Sequence, residues 1–92
     1  MDGMASWYGG YHAGHKTANG EYFNPEAMTA SHKTLPFNSL VRVISLSTGK
    51  TVIVRINDRG PYPPGRIIDL SHAAAKHLGI DGINHVHLEI IR

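Results

Sequence analysis

The sequence contains no cysteine, so no disulfide framework supports it. That removes one marker of an oxidising compartment without placing the chain in the cytosol, since many proteins of oxidising compartments carry no disulfide. No apolar run approaches the roughly 20 residues of a membrane span. No signal peptide opens the chain, and a strand-like segment begins almost at once, so the sequence reads as an excised domain. Charge is scarce too. The formal net charge is +2, with lysine and arginine scattered along the chain. Nucleic-acid binding needs a clustered basic stripe, and none is present; a mild positive balance suits an anionic polymer instead. No internal repeat and no low-complexity segment appears.

What is present is compact. The 92 residues suffice for one domain spanning 1–92 and not for two. A domain of this size buries only roughly 60–65% of its unfolded surface, so its core must be tight and its loops short. Ten glycines and five prolines punctuate the chain throughout, which argues for many short elements. Met4 to Tyr8 reads as a first strand, and 9–20, rich in glycine and histidine, as a loop. Leu40 to Leu46 and Thr51 to Asn57 alternate apolar and polar residues and form a hairpin around the turn Ser47-Thr48-Gly49-Lys50. Arg66 to Leu70 is a short strand. Ser71 to Leu78 is the helix candidate, capped by Ser71 and ended by Gly79. His85 to Ile91 closes the set. Short strands with a single short helix predict a small all-β barrel.

Three of the seven acids sit in unusual settings. Glu21 follows the turn Thr17-Ala18-Asn19-Gly20 and precedes Tyr22-Phe23. A partly apolar pocket there would raise its pKa, as a general acid requires; the bland alternative is a solvated turn acid. Asp58 ends a strand and enters Arg59-Gly60-Pro61, as a loop cap or as a carboxylate on a barrel rim beside a guanidinium. Asp69 is embedded in Ile67-Ile68-Asp69-Leu70, and a buried acid must be paired or protonated. His32 lies in what reads as a fixed loop, Thr29 to Phe37, where it can orient a carboxylate, donate to a ligand oxygen or simply tether the loop. Tyr11 and Tyr62, on glycine- and proline-rich loops, are candidates to stack on a ligand, whereas Trp7 and Phe23 are expected in the core. His85 and His87 share a strand face expected to meet solvent, and His72 and His77 read as exposed helix positions. His12 and His15 are two potential metal ligands without a third or fourth nearby, so no metal and no cofactor is expected.

Four segments occur in order: Ala5-Ser6-Trp7-Tyr8-Gly9, Thr17-Ala18-Asn19-Gly20-Glu21-Tyr22-Phe23, Thr29-Ala30-Ser31-His32-Lys33-Thr34-Leu35-Pro36-Phe37 and Val54-Arg55-Ile56-Asn57-Asp58-Arg59-Gly60-Pro61. Gly65-Arg66-Ile67-Ile68-Asp69-Leu70-Ser71 follows. As an ordered set they resemble the catalytic domain of the rare lipoprotein A family of lytic transglycosylases over nearly the whole length. The resemblance implies a six-stranded double-psi β-barrel acting on peptidoglycan glycan strands. The family cuts the β-1,4 bond between N-acetylmuramic acid and N-acetylglucosamine, leaves 1,6-anhydro ends, and in many members favours glycan stripped of peptides. It implies catalytic roles for Glu21, His32 and Asp58, and the wider barrel group, which includes expansins, adds Asp69. It also implies a monomer working outside the cytoplasm, in periplasm or cell wall. The lipid-anchor cysteine and the peptidoglycan-binding repeat of many members are absent, so membrane contact and septal targeting do not carry over to this stretch. Two other classes compete: a non-catalytic, expansin-like wall-binding domain, and a metal-dependent hydrolase built on the histidines. The catalytic reading expects Glu21, His32 and Asp58 in one groove, with substrate contacts from Tyr11, Arg59 and Tyr62.

Overall fold

A computed structural model describes residues 1–8 and 14–92. Six strands close into a barrel: β1 (Asp2–Tyr8), β2 (Thr29–Ser31), β3 (Leu40–Ser45), β4 (Thr51–Asp58), β5 (Arg66–Ser71) and β6 (Asn84–Ile90), in the order β1-β5-β2-β4-β3-β6. One helix, α1 (His72–Leu78), follows β5 directly. The predicted all-β barrel with a short helix is therefore the observed architecture.

The alternation seen in the sequence explains which side chains fill the barrel. Val41 and Val43 of β3, Val52, Val54 and Ile56 of β4, Ile68 and Leu70 of β5, and Val86 and Leu88 of β6 all point inward and are buried. β3 and β4 pair antiparallel, as the hairpin reading requires, from Leu40↔Arg55 to Ile44↔Thr51. Gly49, at φ 76°, supplies the left-handed residue of their turn. Thr48 Oγ1 donates to Leu78 O at 2.9 Å, fastening that turn to the end of the helix.

α1 forms where its caps and small residues dictate. Ser71 Oγ accepts the Ala74 N–H at 3.2 Å, and Gly79 adopts φ 71° at the other end. Ala74, Ala75 and Leu78 are its buried face, which packs on the barrel.

β2 is the element the sequence did not show. It is only three residues long and lies in the Thr29–Phe37 stretch whose sequence has the character of a loop, because alternation cannot be recognised over three positions. It nevertheless bridges the barrel, parallel to β4 and antiparallel to β5. Two register shifts accompany the parallel pairings. Between Ala30 and Ser31 the partner advances from Ile56 to Asp58, so β4 carries one extra residue. Between Met4 and Ala5 the partner advances from Arg66 to Ile68, so β5 does the same.

Trp7 departs from expectation. It is half-buried, packed against the core from outside, with its ring 5.2 Å from that of His72, which is half-buried as well. Phe23 is buried as expected, 4.6 Å from the Tyr8 ring.

Ser71 is wholly buried and also donates to Ala27 O at 2.6 Å. Ser71→Ala removes both bonds and should lower stability by about 1–2 kcal/mol, the upper range for loss of an N-cap. A urea midpoint unchanged from the parent chain would show that the cap carries no weight.

Candidate functional site

The two register shifts line up four residues. Ser6 of β1 pairs with Asp69 of β5, Asp69 with Ser31 of β2, and Ser31 with Asp58 of β4. Adjacent strands lie about 4.8 Å apart, so the backbones of Asp69 and Asp58 stand roughly 10 Å apart across β2. A cavity of about 320 Å³ opens over this row, lined by Trp7, Tyr8, Ser31, Asp58, Arg59, Arg66 and Asp69.

The two carboxylates are held differently. Asp58 Oδ1 accepts two backbone N–H groups, from Ala18 at 2.9 Å and Arg59 at 2.8 Å. No cation pairs with Asp58 among the described residues. Asp69 Oδ1 accepts from the Arg66 guanidinium at 3.1 Å and from Ser6 Oγ, and Arg66 also donates to Ser6 Oγ. Asp69 is thus part of a strand-bridging ion-pair cluster. Burial, and then the charges of Asp58 and Asp69, push the Tyr8 phenol above its ordinary value, so it stays a neutral group in the field of both acids.

Glu21 lies outside the residues lining this cavity, and its environment is the opposite of the apolar pocket expected. Arg55 grips it bidentately, Nη1 to Oε2 at 2.6 Å and Nη2 to Oε1 at 2.7 Å. Asn57 Nδ2 donates to Oε1 at 3.1 Å and Asn19 Nδ2 to Oε2 at 3.0 Å. These bonds, that from Arg55 first, lower its pKa to about 2. These partners favour the ionised form of Glu21, the opposite of the shift a general acid requires.

His32 is also outside the cavity lining and 6% exposed. Its Nδ1 accepts the N–H groups of Thr34 and Leu35 at 3.1 and 3.2 Å, and Nε2 lies 3.4 Å from Met1 Sδ. Burial, then Arg59 and Lys33, lower its pKa, which keeps the imidazole neutral. Among the described residues the His32 ring bonds to its own loop and to Met1 and to no carboxylate. Its link to Asp58 runs through the backbone, His32 N–H to Asp58 O at 3.2 Å.

Arg59 meets the cavity but is tied down. Its Nη1 donates to His32 O at 3.1 Å and Leu35 O at 2.8 Å, and the guanidinium stacks over the Phe37 ring at 4.0 Å. Tyr62 is 74% exposed and does not line the cavity. Tyr11 and His12 lie outside the described residues. No group of three or more metal-ligating side chains occurs among the described residues. The cavity thus brings together Asp58, Asp69 and Arg59 of the residues singled out, and adds Ser6, Tyr8, Ser31 and Arg66, which were not. Arg66 had a signal: it stands three residues before an acid within an apolar strand. Ser31 had none, since its partnership depends on a strand too short to recognise.

The profile of the family described as lytic transglycolase matches residues 1–90. A probable endolytic peptidoglycan transglycosylase RlpA of Synechocystis is 55% identical over 93 residues, covering 98% of this chain and 29% of that protein. The endolytic peptidoglycan transglycosylase RlpA of Yersinia pestis is 53% identical, over 97% of this chain and 25% of its own. That of Pseudomonas aeruginosa is 61% identical, over 86% of this chain and 23% of its own. The chain therefore spans about a quarter of the length of these curated relatives. Among solved structures, a Streptomyces papain inhibitor superposes with a TM-score of 0.73 at 24% identity, covering 100% of this chain and 94% of that one, a likeness of fold alone.

The Glu21 ion pair makes stability depend on pH. Its folded pKa, about 2, lies below the ordinary 4.5, so its contribution is complete above about 4.5 and is lost as pH falls from there towards 2. Unfolding measured through that window should show the parent chain losing stability more steeply than Glu21→Gln. Parallel curves for the two chains would contradict the pairing.

Proposed function

Because the chain belongs to the lytic transglycolase family of double-psi barrels, we propose that it cleaves the glycan strands of peptidoglycan without water, with the chemistry in the Asp58–Asp69 cavity. The observation that carries this reading is the convergence on one cavity of two carboxylates with contrasting partners, one tied to backbone N–H groups and the other to a guanidinium.

Asp58 acts as the general acid and then the base. Among the described residues its donors, the Ala18 and Arg59 N–H groups, fall on Oδ1, so Oδ2 is the oxygen assigned to carry the proton. Its proton passes to the glycosidic oxygen as the bond to C1 of the muramic sugar breaks through an oxocarbenium-like state. The C6 hydroxyl of the same sugar then bonds to C1 and returns its proton to Asp58. The products are a free hydroxyl on the leaving sugar and a 1,6-anhydro ring, and the enzyme is restored. Asp69, fixed by Arg66 and Ser6, supplies negative charge for the developing cation. Capture by the tethered hydroxyl outcompetes water because intramolecular attack reaches effective molarities of ~10⁵ M or more. Trp7 and Tyr8 offer ring faces to the sugar, and Arg59 lends positive charge at the rim. His32 serves by accepting the Leu35 N–H, which steadies the residue whose carbonyl Arg59 binds.

Such a substrate lies outside the cytoplasm. The domain works there as a monomer on glycan stripped of peptides, without a cofactor, nucleic acid or membrane contact, carried within a longer periplasmic or wall-associated protein.

Peptide-free glycan incubated with the domain should release muramic ends lighter by one water than their reducing counterparts, read by mass spectrometry. Asp58→Asn should keep the fold and slow release by at least ~10²-fold. Reducing ends as the main product would mean hydrolysis. Wall binding without any soluble product would favour the expansin-like reading.

A further inference from the structure

Residues Thr17 to Glu21 form a closed turn. Thr17 N–H donates to Glu21 O at 2.7 Å, Gly20 N–H to Thr17 O at 3.0 Å, and Glu21 N–H to Asn19 Oδ1 at 3.1 Å. Thr17 Oγ1 adds a bond to Asn19 Oδ1 at 2.6 Å. These bonds make the turn one body, so whatever fixes one of its residues fixes them all.

The turn meets the end of β4 at two places. Ala18 N–H donates to Asp58 Oδ1 at 2.9 Å, and Asn19 N–H to Asn57 O at 3.3 Å. On its other side the Glu21 carboxylate takes both Arg55 nitrogens and the Asn57 amide. Arg55 is in turn braced by Asn38 Oδ1 at 3.0 Å, on a loop where Asn38 adopts φ 72°. Asn57 is 2% exposed, and its Oδ1 is buried without a partner among the described residues. An amide that leaves a buried acceptor unsatisfied is destabilising by itself, so its orientation answers to Glu21. The whole arrangement anchors an ionised Glu21 to β4.

We propose that Arg55 is a positioning residue of the reaction: it docks the Thr17–Glu21 turn through Glu21, and so places the Ala18 N–H that fixes Asp58 Oδ1. The inference rests on the reading of Asp58 as the proton carrier. It makes Glu21 a positioning residue as well, acting through Arg55 and Ala18 rather than on the glycan. The lowered pKa of Glu21 agrees with this, since the Arg55, Asn57 and Asn19 bonds favour its ionised form. An arginine is needed because its planar fork meets both carboxylate oxygens, which lysine cannot do.

The two roles for Glu21 give opposite signs for Arg55→Gln. Losing the guanidinium raises the Glu21 pKa. Were Glu21 the acid, activity at mildly acidic pH would rise relative to the parent chain. Positioning instead requires kcat to fall at every pH by ~10–10²-fold, the scale of a misplacement of about 1 Å, with KM little changed. Arg55→Lys should recover part of the loss. Glu21→Gln combined with Arg55→Gln should be no slower than the slower single variant, because both act through one contact. The Ala18 amide proton supplies a readout independent of turnover. In the parent chain its NMR shift should follow pH with the Asp58 carboxyl, and in Arg55→Gln and Arg55→Lys that dependence should be lost or weakened. Raised acidic activity, additive losses, or an Ala18 shift that still follows pH in both variants would overturn the proposal. An active Asp58→Asn would overturn the underlying reading, whereas an inactive Asp58→Asn beside a fully active Arg55→Gln would overturn this inference alone.

Discussion

One extra residue on β4 decides where Asp58 stands. β2 pairs Ala30 with Ile56, and simple parallel pairing would then set Ser31 beside Asn57. The bulge carries the register on to Asp58, level with Ser31 and, across β2, with Asp69. A second bulge on β5 brings Ser6 to Asp69 in the same way. A bulge turns a side chain that strict alternation would aim elsewhere, and here two of them assemble a polar row on a barrel whose interior stays apolar. The cavity, the Arg66 cluster and the docking of the Thr17–Glu21 turn all presuppose that row.

The surroundings then sort three acids of similar chemistry. Glu21 meets a bidentate guanidinium and two amides and is kept as an anion. Asp69 shares a guanidinium and a hydroxyl with the neighbouring strand. Among the described residues Asp58 meets two backbone N–H groups, both on Oδ1. Asp58 and Asp69 both line the cavity and both take their bonds on Oδ1 among the described residues, but of the three acids Asp58 alone meets no guanidinium there, which is why the proposed mechanism centres on it. Beside it, the His32 imidazole accepts the Thr34 and Leu35 N–H groups, and the Leu35 carbonyl accepts from Arg59 at the cavity.

The strands with clear alternation, the hairpin and the capped helix were legible because each follows from neighbours in sequence: Val52, Val54 and Ile56 share a face, and Ser71 and Gly79 bracket an alanine run. Asp58 and Asp69 were legible as acids in odd company. The sense of the Glu21 shift was not, because Arg55 lies 34 positions away and only β4 brings it back. Nor was the burial of the His32 ring, whose partners are backbone groups that no residue pattern advertises. β2 escaped for want of length, and with it went Ser31 and the alignment of the two aspartates.

With Asp58 as the proposed proton carrier, the glycan is expected to lie over the aligned row of Ser6, Asp69, Ser31 and Asp58. Titrating a peptide-free glycan fragment into isotope-labelled Asp58→Asn and following amide shifts tests it most directly. Changes should concentrate at Ser6, Trp7, Ser31, position 58, Arg66 and Asp69. Changes concentrated instead in the open groove formed by Pro36, Phe37, Ser39 and Arg55, with the row unmoved, would contradict it.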